Sequence, residues 1–257
     1  MARKFLWIVD LPSAAVMTRL LTNAQTIGAF AVVINTKNKL LNKATIDTFH
    51  RQNIKVYGWR WPAIRPQPRS TTHYFALDEA QFVVDRFADG LDGYIVDPEA
   101  DDDANAANFW NNAALKPLAA RFAAKIRTGC GPQFHFGITS GCSYPNRNSR
   151  PNIPWAEFLA VCDAGYPQSY WRADLGRVIS INGGNPAAAI QKGVDAWGRV
   201  VPTGKPIIPM AGELKQVTVA EIAAFGAAMA ARRITDLHFY TDEPGVPAAN
   251  FTAIAAL

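Results

Sequence analysis

Two acidic residues stand two positions apart after a short apolar run in the segment DGYIVDPE, residues 92–99. Gly93 interrupts any preceding helix, and the β-forming residues at 94–96 predict a buried strand. Because side chains alternate along a strand, Asp97 and Glu99 are expected to point the same way. Two converging carboxylates can serve as a general acid and its partner. The segment is therefore the first candidate for a reactive centre.

Strand-like and helix-like segments alternate along the whole chain. The fold that they form would position Asp97 and Glu99. Eight apolar runs are predicted as strands: Phe5–Asp10, Phe30–Asn35, Ile54–Trp59, Tyr94–Asp97, Gln133–Thr139, Ala164–Tyr170, Pro206–Ala211 and Asp236–Tyr240. Helices are predicted between them, including a long Ala-rich one over Ala104–Arg127 with Asp101–Asp103 as its cap. Capping of that helix is also the alternative role for the acids of the fourth strand.

Eight strand–helix units in 257 residues match the count and size of an α/β protein with a (β/α)₈ TIM-type barrel. A doubly wound open sheet is the alternative, but Asp10-Leu11-Pro12-Ser13 follows the first strand where a dinucleotide site would have a Gly-rich loop. No low-complexity linker divides the chain, so residues 1–257 are predicted to form a single domain.

The composition is that of an ordinary globular protein, with 49% hydrophobic and 18% charged residues. The net charge of +5 is scattered, and no Lys/Arg run of the kind that binds nucleic acid is present. No apolar run reaches 18 residues, so no membrane span is predicted. The apolar stretch before Asp10 is too short for a signal peptide. We expect a monomer made in the cytoplasm, which would reach a cell wall after release or by a non-classical export route.

Cysteine and histidine spacing indicates neither a metal nor a cofactor. Cys130, Cys142 and Cys162 match no zinc pattern and are expected to be buried free thiols. His135 and His238 fall within predicted strands, where a core role is the simpler interpretation. No G-x-S-x-G nucleophile motif occurs.

The site of a (β/α)₈ barrel lies at the carboxyl ends of its strands, so the residues at those ends are candidate ligand contacts. Acidic candidates besides Asp97 and Glu99 are Asp10, Asp242 and Glu213, and Glu213 could instead pair with Lys215 or cap the next helix. The aromatic and amide candidates are Trp59, Trp61, Gln168, Tyr170 and Trp171. Acids can protonate and stabilise a glycosidic centre, aromatic faces stack on sugar rings, and amides bind hydroxyl groups. The mixture predicts a polysaccharide ligand.

The segment DGYIVDPE resembles the strand-four signature D-G-x-D-x-D-x-E of the chitinase-like family 18 glycosidases. Asp92, Gly93, Asp97 and Glu99 match that signature, and Ile95 stands where the family has its middle Asp. The D-x-E strand end, with Asp10 and the aromatic residues after strand six, is also similar to the family 25 lysozymes. Together with GYPQSYW at 165–171, the segment looks like glycoside-hydrolase-like barrel domains of phage lysins and secreted bacterial proteins.

This resemblance implies a glycosidase that cuts β-linked N-acetylated amino-sugar polymers, most plausibly peptidoglycan, as a muramidase or glucosaminidase of the endolysin type. Glu99 would be the general acid and later the base. Asp97 would orient the substrate's acetamido group or stabilise the charge at the anomeric carbon, and the acetamido group could itself be the nucleophile. Direct displacement by water, with Asp10 or Asp242 as base, stays open. The alternative from another class is a barrel that binds glycans or partners with inert acids.

Overall fold

The computed structural model describes residues 2–67, 74–99, 106–174 and 177–257. Within these residues eight parallel strands form a barrel-like sheet, which confirms the predicted architecture. We label them β1 (Arg3–Ile8), β2 (Ala29–Asn35), β3 (Lys55–Arg60), β4 (Gly93–Val96), β5 (His135–Gly141), β6 (Ala164–Gln168), β7 (Met210–Ala211) and β8 (Asp236–Phe239).

The strand order excludes the doubly wound alternative. Neighbouring strands follow the order β7-β8-β1-β2-β3-β4-β5-β6. This is the order of the strands along the chain, with the last strand, β8, placed beside the first, β1. A doubly wound sheet would reverse direction at a switch point. The segment before β7 nearly closes the ring, because Ile207 forms a parallel bridge with Gly165 of β6. All carboxyl strand ends thus face one mouth, as the site prediction requires.

Helices cover the outside of the described barrel. They are α1 (Ala14–Ile27), α2 (Lys43–His50), α3 (Ala76–Ala88), α4 (Lys116–Cys130), α5 (Trp155–Leu159), α6 (Pro186–Trp197), α7 (Val219–Ala231) and α8 (Ala248–Ala255). None of the helices in the described ranges combines the length and apolar character needed to cross a bilayer.

Local sequence signals explain where these helices begin and end. Ser13 caps α1 by accepting from the backbone N–H of Val16, and Gly28 ends the same helix in the left-handed conformation at φ 62°. Thr218 and Glu221 form a reciprocal capping box at the start of α7. Such residues place the helix ends with little help from the tertiary structure.

The predicted helix over 104–127 is wrong in its first half. Residues 106–112 form turns and irregular backbone, a 3₁₀ turn covers Ala113–Leu115, and α4 begins only at Lys116. The stretch packs inward instead, since Trp110 is fully buried and its indole N–H donates to the carbonyl of Pro62 at 2.8 Å. Neither acid of the fourth strand therefore caps α4. The proposed cap at Asp101–Asp103 lies outside the described residues.

Cys130, Cys142 and Cys162 are buried free thiols, as predicted. Burial raises the pKa of Cys142, so this side chain is held as a neutral thiol beside Ser169. Two short two-stranded sheets that the sequence did not predict lie outside the barrel, one joining Pro62–Ala63 to Tyr74–Phe75 and one joining Arg172–Asp174 to Val178–Ser180.

Candidate active site

The fourth strand carries its two acids to the mouth of the barrel. The backbone N–H of Asp97 donates to the carbonyl of Arg60 in β3 at 2.9 Å, so the ladder continues one residue beyond β4. Two residues later, the carbonyl of Glu99 accepts from the N–H of Trp110 at 3.0 Å. The inward-packed stretch before α4 therefore anchors Glu99, while β3 anchors Asp97.

A single amide group bridges the two carboxyl groups. Nε2 of Gln168, at the end of β6, donates to Oδ2 of Asp97 at 3.0 Å and lies 3.4 Å from Oε1 of Glu99. An NH₂ group carries two hydrogens and can serve both acceptors. The structure thus brings together three residues that were predicted for the site from the sequence, Asp97 and Glu99 after the fourth strand and Gln168 of the sixth.

The environment of Asp97 disfavours its ionised form. The residue is only 2% exposed. Burial is the main cause that raises the pKa of Asp97 well above its ordinary value of 3.8, and the negative charge of Glu99 is the next. The hydrogen bond from Gln168 opposes this rise. Asp97 therefore holds a proton that it can share with its neighbour, an arrangement used in acid–base sites.

We predict that replacing Asp97 with Asn makes the protein more stable than wild type at neutral pH. In the pH range above 3.8 and below the raised pKa, the folded wild type keeps a proton that the unfolded chain releases. The free energy of unfolding therefore falls as pH rises through this range. Urea unfolding of both proteins at several pH values would measure this, and a difference independent of pH would contradict it.

Tyr144, in the loop after β5, is a contact of Glu99 that sequence reasoning missed. Its hydroxyl forms a hydrogen bond with the Glu99 carboxyl group. Burial, followed by the charge of Glu99, raises the pKa of Tyr144 well above 10.0, so the hydroxyl keeps its proton and donates. The ring packs under the guanidinium of Arg150, 5.6 Å from its centroid, and contacts Gly141, where a Cβ would not fit.

Aromatic rings form most of the wall around the acids. The cavity at the mouth measures about 110 Å³, and its lining comprises Trp7, Trp59, Trp61, Asp97, Glu99, Gln168, Tyr170, Met210, Glu213 and Tyr240. Trp59 lies 5.4 Å from Trp7 and 4.5 Å from Trp61 between ring centroids. Tyr170 and Tyr240 stack at 5.5 Å. Such rings suit the apolar faces of a sugar.

Glu213 adds a third carboxylate to the cavity lining. It has a left-handed backbone conformation with φ 55°, which is uncommon for a residue other than glycine. Hydrogen bonds fix this turn, since the carbonyl of Glu213 accepts from Gln216 at 2.7 Å and the next N–H donates to Tyr240 at 3.0 Å. The preceding Gly212 contacts the Tyr170 ring so closely that a Cβ there would overlap it.

The structure brings together seven of the ten residues predicted for the site. These are Trp59, Trp61, Asp97, Glu99, Gln168, Tyr170 and Glu213. Trp171 lies elsewhere, because it is fully buried and stacks on Phe225 of α7 at 5.8 Å. Its predicted contact with a ligand is therefore not supported by the geometry.

Asp10 and Asp242 line a second cavity, of about 180 Å³, between the ends of β1 and β8 and helix α1. Asp10 has a side chain that is 71% exposed and pairs with Lys37 at 2.8 Å. The carboxylate of Asp242 is buried and binds Asn23 at 2.9 Å and Arg19 at 3.4 Å. Since neither lines the cavity of Glu99, the geometry gives no support to either as a base that works opposite Glu99.

Sequence reasoning did not select three residues of the site: Trp7 and Met210, which line the cavity, and Tyr144, which contacts Glu99. Tyr240, which also lines the cavity, was noted only as a strand end. Trp7 had a usable signal, because it alternates with Phe5 along β1 and both belong to the interior face. Among the described residues no group of three or more His, Cys, Asp or Glu side chains is arranged to hold a metal ion.

Comparison with known proteins gives a result at the level of the fold. No protein-family model matches the chain, and a search of curated protein sequences finds no match. Solved structures do match. The spore cortex-lytic enzyme SleL of Bacillus cereus superposes with a TM-score of 0.63 at 10% identity, covering 99% of this chain and 74% of that one.

Two further solved structures match over nearly their full length. A chitinase from Chromobacterium violaceum has a TM-score of 0.62 at 10% identity, with 99% of this chain and 98% of that chain covered. The C-terminal domain of a chitinase-like protein from Desulfitobacterium hafniense has a TM-score of 0.64 at 9% identity, with 99% of both chains covered. These likenesses establish that this chain has the barrel fold of those proteins.

Proposed function

We propose that this protein is a glycoside hydrolase that cleaves β-linked polymers of N-acetylated amino sugars, with peptidoglycan as its main substrate. The observation that carries the proposal is the pair of acids bridged by Gln168 inside an aromatic cavity at the barrel mouth. Support also comes from the solved structures with this fold, which include chitinases and a spore cortex-lytic enzyme.

Glu99 acts as the general acid in the proposed first step. It gives its proton to the glycosidic oxygen as the bond from that oxygen to the anomeric carbon breaks. The carbonyl oxygen of the substrate's own acetamido group attacks the anomeric carbon, as in substrate-assisted retaining glycosidases. In the second step the Glu99 carboxylate takes a proton from water, and the resulting hydroxyl adds to the anomeric carbon and restores the acetamido group.

Asp97 and Gln168 orient the reacting groups. A protonated carboxyl group at Asp97 is both a donor and an acceptor, so it can bind the acetamido group and Glu99 in turn. Ile95, which stands at the middle Asp position of the chitinase signature, is fully buried in the barrel. The bridging amide of Gln168 therefore couples the two acids here, in addition to the hydrogen bond that they share directly.

The size of the cavity suits the acetamido group. Its volume of about 110 Å³ is below the roughly 300–1,000 Å³ of pockets that enclose a whole small molecule. Part of a sugar ring with its acetamido substituent could enter, while the rest of the polymer would lie across the open mouth. The same feature accommodates chitin and peptidoglycan, since both carry acetamido groups.

Incubation of the protein with purified peptidoglycan and with chitin, followed by assay of new reducing ends, tests the proposal. We expect release from both polymers and faster release from peptidoglycan. A protein that sediments with both polymers and never releases reducing ends would instead be a glycan-binding barrel with inert acids. Faster release from chitin would keep the hydrolase and overturn its peptidoglycan preference.

A further inference from the structure

A hydrogen bond links the aromatic floor of the cavity to the interior of the barrel. Nε1 of Trp7 in β1 donates to Nδ1 of His238 in β8 at 3.1 Å. Both residues are buried, with His238 fully inaccessible to solvent. Trp7 lines the cavity that contains Asp97 and Glu99, whereas His238 does not. His238 is therefore positioned to act on the cavity only through Trp7.

The surroundings of His238 fix the state of its ring. Because Nδ1 accepts a hydrogen bond from an indole that can only donate, the neutral ring must carry its proton on Nε2. Among the described residues Nε2 is buried and has no hydrogen-bond partner. The ring stacks on Phe5 with centroids 4.1 Å apart and lies 4.7 Å from the ring of Tyr166. These two aromatic contacts restrict the rotation of the imidazole.

The orientation of Trp7 matters for the whole aromatic wall. Its ring contacts Trp59 at 5.4 Å and Tyr240 at 6.4 Å, and Tyr240 in turn stacks on Tyr170. Trp59 has an anchor of its own, since its indole N–H donates to the carbonyl of Ile8 at 3.0 Å. A buried indole N–H without an acceptor is unfavourable, so loss of the His238 acceptor would drive Trp7 to another rotamer.

We infer that His238 is a positioning residue that fixes the Trp7 ring as the floor of the substrate cavity. This inference rests on the proposed function for its effect on catalysis, and on the geometry alone for its effect on Trp7. Loss of the acceptor would weaken substrate binding more than chemistry, because Asp97 and Glu99 are held by β3, β6 and the stretch before α4. His238 would contribute to specificity without touching the substrate.

Three substitutions at position 238 separate an acceptor role from simple packing. His238→Asn places an oxygen where Nδ1 stands and keeps the acceptor. His238→Leu has a similar volume and no acceptor, and His238→Gln carries its acceptor one bond farther away. His135→Leu is the matched control, since His135 is also a histidine of a barrel strand, at the start of β5, but binds the hydroxyl of Tyr166 at 2.7 Å and does not line the cavity.

The first readout is the indole N–H signal of Trp7 in protein labelled with ¹⁵N-tryptophan, identified by its disappearance in Trp7→Phe. We expect the Trp7 indole N–H to keep its wild-type chemical shift and its slow exchange with solvent hydrogen in His238→Asn and His135→Leu. Both properties should be lost in His238→Leu. Should His238→Leu fail to fold, His238→Gln must lose them. An unchanged Trp7 signal in a folded variant without the acceptor would overturn the inference, whether or not the protein is an enzyme.

The second readout is the steady-state kinetics on a soluble amino-sugar oligomer. For His238→Leu we expect KM to rise about tenfold, the effect of one buried hydrogen bond, with kcat within about threefold of wild type. His238→Asn should keep KM within about twofold of wild type. Equal loss of kcat in the Leu and Asn variants would contradict a role through the acceptor. Absence of hydrolysis by wild type would refute the proposed function and leave the Trp7 signal to decide the inference.

Discussion

Replacing Glu99 with Gln is expected to lower kcat by about 10²–10⁴-fold, the usual contribution of a general acid. Gln has nearly the same shape but no proton to give to the glycosidic oxygen. The hydrogen bonds from Gln168 and Tyr144 lie at the same carboxyl group, so the variant side chain keeps its place in the cavity. Affinity for the polymer should therefore stay within about threefold of wild type. Turnover of a soluble oligomer and calorimetric binding to it measure the two quantities separately.

Asp10→Asn is the matched control for this substitution. It removes one carboxylate from the same end of the barrel, but from the second cavity, where Asp10 is exposed and paired with Lys37. We expect wild-type kcat for Asp10→Asn. A large loss in this variant would restore the mechanism in which water is activated by Asp10. Wild-type turnover by Glu99→Gln would mean that another group supplies the proton.

Replacing Asp97 with Asn should lower kcat by about 10²–10³-fold, because a positioned proton-sharing group is lost from a water-excluded site. The variant should also shift the pH dependence of kcat/KM. The pair of carboxyl groups keeps one proton to a pH above the ordinary range of a carboxyl group, because burial and the charge of Glu99 raise the pKa of Asp97. With a neutral amide at position 97 this shared proton is absent, so the acid form of the site is lost at lower pH.

The alkaline limb of the kcat/KM profile should therefore move to lower pH in Asp97→Asn. Glu243→Gln is a suitable control, since it removes a carboxylate that lines the second cavity and leaves the bridged pair intact. We expect its alkaline limb to coincide with that of wild type. An Asp97→Asn profile with an unmoved limb would show that the two carboxyl groups titrate independently, contrary to the coupling described for the site.

Much of the barrel could be predicted from local signals in the sequence. Apolar runs marked the strands, and the structure shows that Ser13 and Thr218 cap the helices that begin at the next residue. The acids of the fourth strand and Gln168 of the sixth were predicted to share a mouth because parallel strands end on one side. The patterns that mark strands and helices extend over only a few residues each. The closed barrel was then inferred from the number of strand–helix units, which is eight.

The site predictions that the geometry does not support share a physical cause, which is that side-chain direction beyond a strand end depends on tertiary contacts. β1 ends at Ile8, two residues earlier than predicted, so Asp10 leaves the barrel and meets Lys37. Asp242 turns to α1, where Arg19 and Asn23 bind it. Both acids had suitable positions in the sequence, but the chain directs them away from the mouth.

The loops were the least predictable part of the site. The composition around 104–112 favoured a helix, yet the described part of this stretch buries Trp110 and anchors Glu99. Burial of one large aromatic side chain can outweigh a modest helix propensity. Tyr144 comes from a turn-rich loop with no periodic pattern, and nothing local indicated that its hydroxyl would reach Glu99.

Mass spectrometry of the products formed from purified peptidoglycan is the most direct test of the central claim, that the Asp97–Glu99 pair hydrolyses a glycosidic bond. The account predicts soluble fragments that end in a reducing amino sugar, each cut having added one molecule of water, and at least about a hundredfold slower release of such fragments by Glu99→Gln. Intact glycan strands after prolonged incubation with wild-type protein, or cuts confined to the peptide stems, would contradict it.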